Sequence, residues 1–305
     1  MARCDLEVEG GEMGKALVTE TALRDHVHRL GELHPPISLD SVDRTVRRPH
    51  LVLSEYGHVI DYLARVELEV DRNVLELLTL LPDANQTDRT FYRDVWQPQE
   101  TQHGLILDRL QQDLGRPAAA PDTETVSAKI RVLGALSHLR PVHEVTRLLY
   151  YLTGAATEKS AVLAYGRLSG GMRRLGEHAI ARTVIDQIKR QEPGHFAYYA
   201  LSARWMIQHR VLAPWQVHLA RVLRRRSFGL VGANNEVQRA QFGELVQSLD
   251  LTDGLPAYAH QISVVERELL WAGQQGMYVP PYVLKALDDA LELARSGQYA
   301  DPIRT

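Results

Sequence analysis

VIDYLARVELEVDRNVLELLTLLPDAN, the stretch from Val59 to Asn85, decides the reading of the fold. Val59, Leu63, Val66, Val70, Val74, Leu77, Leu78 and Leu81 recur at steps of three and four, which puts them on one face of a helix. Pro82-Asp83-Ala84-Asn85 ends it, because proline lacks a backbone donor and the residues after it favour turns. The pattern reaches back to about Leu51, so one helix over Leu51–Leu81 is expected. Glu67 falls on the apolar face, four residues after Leu63 and three before Val70, and therefore points inward. A carboxylate there must be protonated, salt-bridged or bound to a metal, since burying it alone costs several kcal/mol. Glu69 shares a face with Tyr62, Arg72, Asn73 and Glu76 and is expected in solvent.

Outward from this stretch, a second long helix is expected from about Asp88 to Leu114, stopped by Gly115-Arg116-Pro117, with Ala118–Pro121 as a connector. Helical patterns follow over Thr123–Leu139, His143–Arg174 and Glu177–His209. Shorter ones cover Ala16–Leu33, Ser38–Arg47, Pro214–Arg226, Glu236–Leu249, Ala259–Trp271 and Tyr282–Arg295. The first fifteen residues, acidic and Gly-rich, are expected to form a mobile arm. Two pairs of long helices separated by a long crossover describe an all-α fold, a ferritin-like four-helix bundle with additional N- and C-terminal helices. The expected division is an arm and short helices over residues 1–50, the bundle over 51–234, and C-terminal helices packed on it over 235–305.

Glu158 repeats the anomaly of Glu67, lying on a stripe with Tyr151, Ala155, Val162 and Tyr165. The second and fourth long helices each carry Glu-x-x-His, as Glu100-Thr-Gln-His103 and Glu192-Pro-Gly-His195. Residues three apart share a helix face, so carboxylate and imidazole can reach one ion. The pattern alone is weak, and a third match, Glu55-Tyr-Gly-His58, reads as coincidence. Position strengthens the other two. Glu67 and Glu100 are 33 residues apart (100 − 67), with the midpoint inside the Pro82–Asn85 turn; Glu158 and Glu192 are 34 apart (192 − 158), with the midpoint beside Gly176. Two antiparallel hairpins therefore each set a Glu against a Glu-x-x-His, the ligand set of a carboxylate-bridged di-metal bundle.

Composition narrows the classes. The chain has 305 residues, 45 % hydrophobic and 24 % charged, which suits a globular protein and excludes a coiled-coil rod or collagen-like fibre. One cysteine, Cys4, excludes a disulfide scaffold and a Cys-built metal site. A net charge of −3 gives no general attraction to nucleic acid. No apolar run is long enough to span a bilayer and no export signal opens the chain, so a cytoplasmic protein is expected.

The residues around the motifs resemble those of the soluble acyl-acyl carrier protein desaturases, a ferritin-like di-iron family. Trp96-Gln-Pro-Gln-Glu100-Thr-Gln-His103-Gly104 is similar to the family's Trp-x-x-x-Glu-x-x-His-Gly. Glu158-Lys-Ser-Ala resembles Glu-Arg-Ala-Thr, and Glu192-Pro-Gly-His195 resembles Glu-Lys-Arg-His. The stretch Val222-Leu-Arg-Arg-Arg-Ser-Phe-Gly-Leu is similar to a basic segment after the fourth ligand helix. The likeness covers about Leu51 to Asn234. It implies two iron ions, with manganese or a mixed pair as alternatives, bridged by Glu100 and Glu192 and held at the ends by Glu67, Glu158, His103 and His195. It implies a dioxygen-dependent desaturase, a ferredoxin-like electron donor, and a carrier-protein contact at Arg221, Arg224, Arg225 and Arg226. The sequence departs from the family at Ala161, where a Thr is usual, and at Gln99 and Gln191, where an acidic residue precedes each motif.

Other readings stay open: an N-oxygenase or hydroxylase with the same centre, a non-catalytic metal-binding or partner-binding relative, and a homodimer. Tyr150, Tyr151, Phe196, Tyr198, Tyr199 and Trp205 read first as core, with channel lining or electron transfer as the alternative. Pro193-Gly194 breaks the rule for a helix interior, and a kink or bulge is expected within one turn of Glu192.

Overall fold

The computed structural model describes residues 17–81, 84–123 and 139–298, and among them every regular element is helical. The N-terminal arm, Pro82, Asp83 and the expected Thr123–Leu139 helix lie wholly or largely outside the described residues. Helix α1 spans Glu20–Leu33, started by the Thr19 hydroxyl, which accepts from the Ala22 amide. The expected Ser38–Arg47 helix is only a single 3-10 turn, Leu39–Ser41. The reason is tertiary: Glu177, from the far hairpin, accepts the amides of Arg47 and Arg48 and holds this segment extended.

The first long helix is two, α2 (Pro49–Leu68) and α3 (Val70–Leu80), broken at Glu69. The second is an unbroken helical run of α4 (Gln86–Thr90), a π-helical stretch Phe91–Trp96, and α5 (Gln97–Asp113). The third is α6 (Arg140–Arg174). The fourth combines α7 (His178–Ile180), a second π-helical stretch Ala181–Ile185, and α8 (Asp186–Gln208). After them come α9 (Pro214–Ser227), α10 (Glu236–Ser248), α11 (Leu255–Ile262), α12 (Val264–Leu270) and α13 (Pro281–Ser296).

Helix α2 packs against α5, and α6 against α8, which are the two expected hairpins. Helix α10 lies on α2, α11 on α6, and α1 on α8. The C-terminal helices thus cover the bundle, as their apolar stripes of Val264, Val265, Val283, Leu287 and Leu291 anticipated. No described helix is long and apolar enough to cross a membrane.

The apolar interior comes in two clusters. One contains Leu63, Ile106, Leu107, Tyr165 and Ile188. The other contains Val70, Trp96, Ala155, Tyr198 and Ala203. Between Leu63 and Val70, between Trp96 and Ile106, between Ala155 and Tyr165, and between Ile188 and Tyr198 lie Glu67, Glu100 with His103, Glu158, and Glu192 with His195. A polar layer therefore crosses all four long helices at one height and divides the core.

Two further sequence expectations are corrected. Glu69 is not in solvent: it is fully buried, bonded to Arg65 (2.8 Å) and Arg72 (2.6 Å), with Asp122 of the returning connector donating its amide. The connector that covers it leaves no trace in the periodicity of its own helix. The irregularity of the fourth helix is also elsewhere. Helix α8 runs unbroken through Pro193, and the π-helical stretch ends at Ile185, about two turns before Glu192. Gly194 serves packing: a Cβ there would lie 2.3 Å from Leu30 Cδ1 of α1.

Candidate metal centre

Glu67, Glu100, His103, Glu158, Glu192 and His195 are all buried. They form two overlapping groups that could each hold a metal ion: Glu67, Glu100, His103 and Glu192, and Glu100, Glu158, Glu192 and His195. Within each group, one ligand atom per residue lies within 4.8 Å of the others. Glu100 and Glu192 belong to both groups, the position of shared carboxylates. Glu67, and not Glu69, is the first-helix member. Glu55 is exposed and His58 bonds Ser248 Oγ at 2.7 Å, so the third Glu-x-x-His stands outside the cluster.

The inward atoms crowd together within each group. His195 Nδ1 lies 2.9 Å from Glu100 Oε1, and His103 Nδ1 lies 3.3 Å from Glu192 Oε1. Yet these same four atoms are buried without an aligned hydrogen bond. A buried polar atom left unpaired costs about 1–3 kcal/mol, so four facing each other call for something between them. Four carboxylates and two imidazoles suit a pair of divalent first-row ions, whose charge offsets that of the acids.

The outward imidazole atoms are tied in a crossed pattern. His103 Nε2 meets Gln191 Oε1 at 2.6 Å, and His195 Nε2 meets Gln99 Oε1 at 2.5 Å. Each glutamine thus serves the histidine of the other motif. Their amide nitrogens bond backbone carbonyls just beyond α1: Gln99 to His34 (2.5 Å), and Gln191 to His34 (3.2 Å) and Pro35 (2.8 Å). Because the carbonyls can only accept, the amide nitrogens must face them and the amide oxygens must face the rings. Nε2 then carries a proton in each ring, and Nδ1 is the atom turned toward the carboxylates. A carboxylate at either position would place an acceptor against the His34 carbonyl, which the amide avoids.

Carboxylate partners complete the shell. Trp96 Nε1 donates to Glu158 Oε1 (3.2 Å) and the Tyr165 hydroxyl donates to Glu67 Oε1. Burial, then the neighbouring Glu192, pushes Glu100 up to about 7; burial pushes Glu158 up to about 8 and raises Glu67 as well. Against the effect of burial, His103 and His195 hold Glu192 below the ordinary range, and Glu100, Glu158 and Glu192 raise His195 well above it.

The centre has two sides. The imidazole side faces the glutamines and α1, whereas Glu67, Glu100, Glu158 and Glu192 line a cleft of about 100 Å³ that is partly open to solvent. Leu63, Val66, Ala164, Leu230, Phe242 and Leu245 give it largely apolar walls. Ala161 lines it too, and the hydroxyls beside it are engaged: Ser160 with Tyr258 (2.6 Å) and Thr157 with the Val231 amide (3.1 Å).

The arginine run divides. Arg224 is no surface contact: it is buried in a two-bond pair with Glu266 (3.0 and 2.7 Å). Arg221 bonds the Leu270 carbonyl. Arg225 and Arg226 are exposed, at a second pocket shared with Arg239 and Lys285. One turn of α9 carries both kinds because the helix packs one face on α12 and leaves the other in water.

Sequence reading missed the anchors at His34 and Pro35 and the bond from Tyr165 to Glu67. No family model, curated protein or solved structure matches this chain.

Proposed function

We propose that the chain is a di-metal, dioxygen-dependent oxidoreductase of the acyl-acyl carrier protein desaturase type. Glu67, Glu100, His103, Glu158, Glu192 and His195 would hold two iron ions. The observation that carries this reading is the convergence of four unpaired buried ligand atoms, two from each Glu-x-x-His. Iron bound there supplies dioxygen reduction and the oxidising equivalents for attack on a C–H bond. The protein orients both imidazoles through Gln99 and Gln191, excludes water with two apolar clusters, and offers substrate only the carboxylate side. An apolar chain matches the walls of that cleft. Arg225 and Arg226, at a pocket that shares Leu230 and Phe242 with the cleft, would meet an acidic carrier protein. Electrons would come from a ferredoxin-like donor.

Ala161 favours a second reading. With no hydroxyl at this position of the cleft, where the family has one, a hydroxylase or N-oxygenase becomes the alternative. Anaerobic Fe(II) titration, then oxygen with carrier-bound acyl chains, tests both. Two equivalents of iron and an unsaturated product are expected. A hydroxylated product selects the second reading, and failure to bind iron or manganese refutes both.

A further inference from the structure

Asp88 is a buried carboxylate, 2 % exposed, that the metal centre does not use. Its Oδ1 accepts hydrogen bonds from two phenols, Tyr151 at 2.7 Å and Tyr198, while its Oδ2 has no partner among the described residues. Arg147 supports the group from one side, donating to the Tyr151 hydroxyl at 3.2 Å. A carboxylate kept for structure alone would have its second oxygen satisfied. This one retains a free acceptor site.

The same phenols end a line of rings that starts at the metal centre. Trp96 donates to the ligand carboxylate of Glu158. The Tyr92 ring stands edge-on to Trp96 at 5.9 Å, and Tyr198 edge-on to Tyr92 at 6.0 Å. Phe91 stacks on Tyr198 at 3.6 Å. Neighbouring rings are therefore in contact from Glu158 to Asp88. The π-helical stretch Phe91–Trp96 supplies three of these rings, and its wider turn sets their directions.

We propose that Tyr198 is a redox-active tyrosine with Asp88 as its proton acceptor, connected to the di-metal centre through Tyr92 and Trp96. The proposal rests on the metal reading above. The oxidant is the metal centre after reaction with dioxygen. The Tyr198 hydroxyl loses one electron, which passes along the rings and lowers the oxidation state of one metal ion by one. Its O–H bond breaks, the proton forms a new O–H bond on Asp88, and a neutral tyrosyl radical and a carboxylic acid remain. Removing an electron from a phenol makes it a strong acid, so a hydrogen-bonded base is the requirement that Asp88 meets. Burial holds both phenols well above their usual range, so they stay protonated until oxidised.

The test loads the full chain anaerobically with Fe(II), adds oxygen without substrate, freeze-quenches and records the EPR spectrum, with metal content measured separately. An organic radical whose hyperfine pattern collapses in protein made with ring-deuterated tyrosine is expected. Tyr198→Phe keeps the stack on Phe91 and should abolish the signal at unchanged iron content. Asp88→Asn should lose at least tenfold of it with the tyrosine still present; if that variant fails to fold, Tyr198→Phe decides alone. Full iron loading with no tyrosyl radical overturns the proposal and leaves the metal reading standing, as does an unchanged radical in Tyr198→Phe. Absence of iron binding overturns both.

Discussion

Metal-free protein should lose stability as pH rises from about 5 to about 8, because its core carboxyls keep protons that an unfolded chain gives up. The ordinary glutamate value is 4.5, whereas folded Glu100 stands at about 7 and Glu158 at about 8. Between those limits the folded state binds more protons, and stability therefore falls with pH. For Glu100 the span is 7 − 4.5 = 2.5 units, about 3 kcal/mol at about 1.36 kcal/mol per unit. For Glu158 it is 8 − 4.5 = 3.5 units, about 5 kcal/mol by the same conversion. The two share neighbours and titrate as a set, so about 5 kcal/mol is taken as the scale for the pair and not for each. His195, raised above its ordinary value, adds a slope of the same sign. Glu192 is held low, so its contribution is complete before the window opens. Urea unfolding of chelator-treated protein across this range measures the slope, with Glu158→Gln as the comparison. Divalent iron added anaerobically should restore stability most at the alkaline end, since binding displaces the protons. A flat or rising stability, or the same fall in Glu158→Gln, would refute the linkage.

Three further outcomes are expected. Gln99→Leu or Gln191→Leu should keep the helical content and weaken metal binding about 10–100-fold in competition with a chromogenic chelator, because the imidazole loses its orienting bond. Gly104→Ala would set a Cβ 2.7 Å from Leu68 Cγ and 2.9 Å from its backbone nitrogen, next to Glu67 of the proposed centre. Overpacking of about 1–3 kcal/mol should outweigh a helix-propensity gain of about 1, lowering both the melting temperature and metal stoichiometry. Arg224→Ala strands buried Glu266 and should cost about 3–5 kcal/mol in denaturant unfolding, against about 0.5 or less for Arg225→Ala or Arg226→Ala.

The buried Glu/His layer was legible because it depends on quantities a sequence carries: a helix face, a three-residue spacing and a hairpin midpoint. Glu67 and Glu158 stood out against apolar stripes, and two near-equal separations aligned them with their motifs. Features settled by distant chain segments were not legible. Glu69 looks solvated on its own helix and is buried by Arg65, Arg72 and a connector some fifty residues away. Pro193 forbids one hydrogen bond, yet close packing of α1 on Gly194 accompanies a helix that stays continuous. Arg224 and Arg225 are neighbours of identical type, and only the position of Glu266 separates the buried one from the exposed one.

Helix α1 contributes no ligand, yet the carbonyls at its end hold the amides that hold both ligand imidazoles. On the proposed metal reading, exchange of the ion would be tied to the lifting of this peripheral helix. With α1 docked, both rings are held by Gln99 and Gln191; with α1 raised, the glutamines would lose their anchors and the rings could turn. The rate at which metal enters or leaves is then expected to follow the same local unfolding event that sets hydrogen exchange at Val27 and Leu30. Occupied protein should protect those amides although no metal ligand lies on their helix.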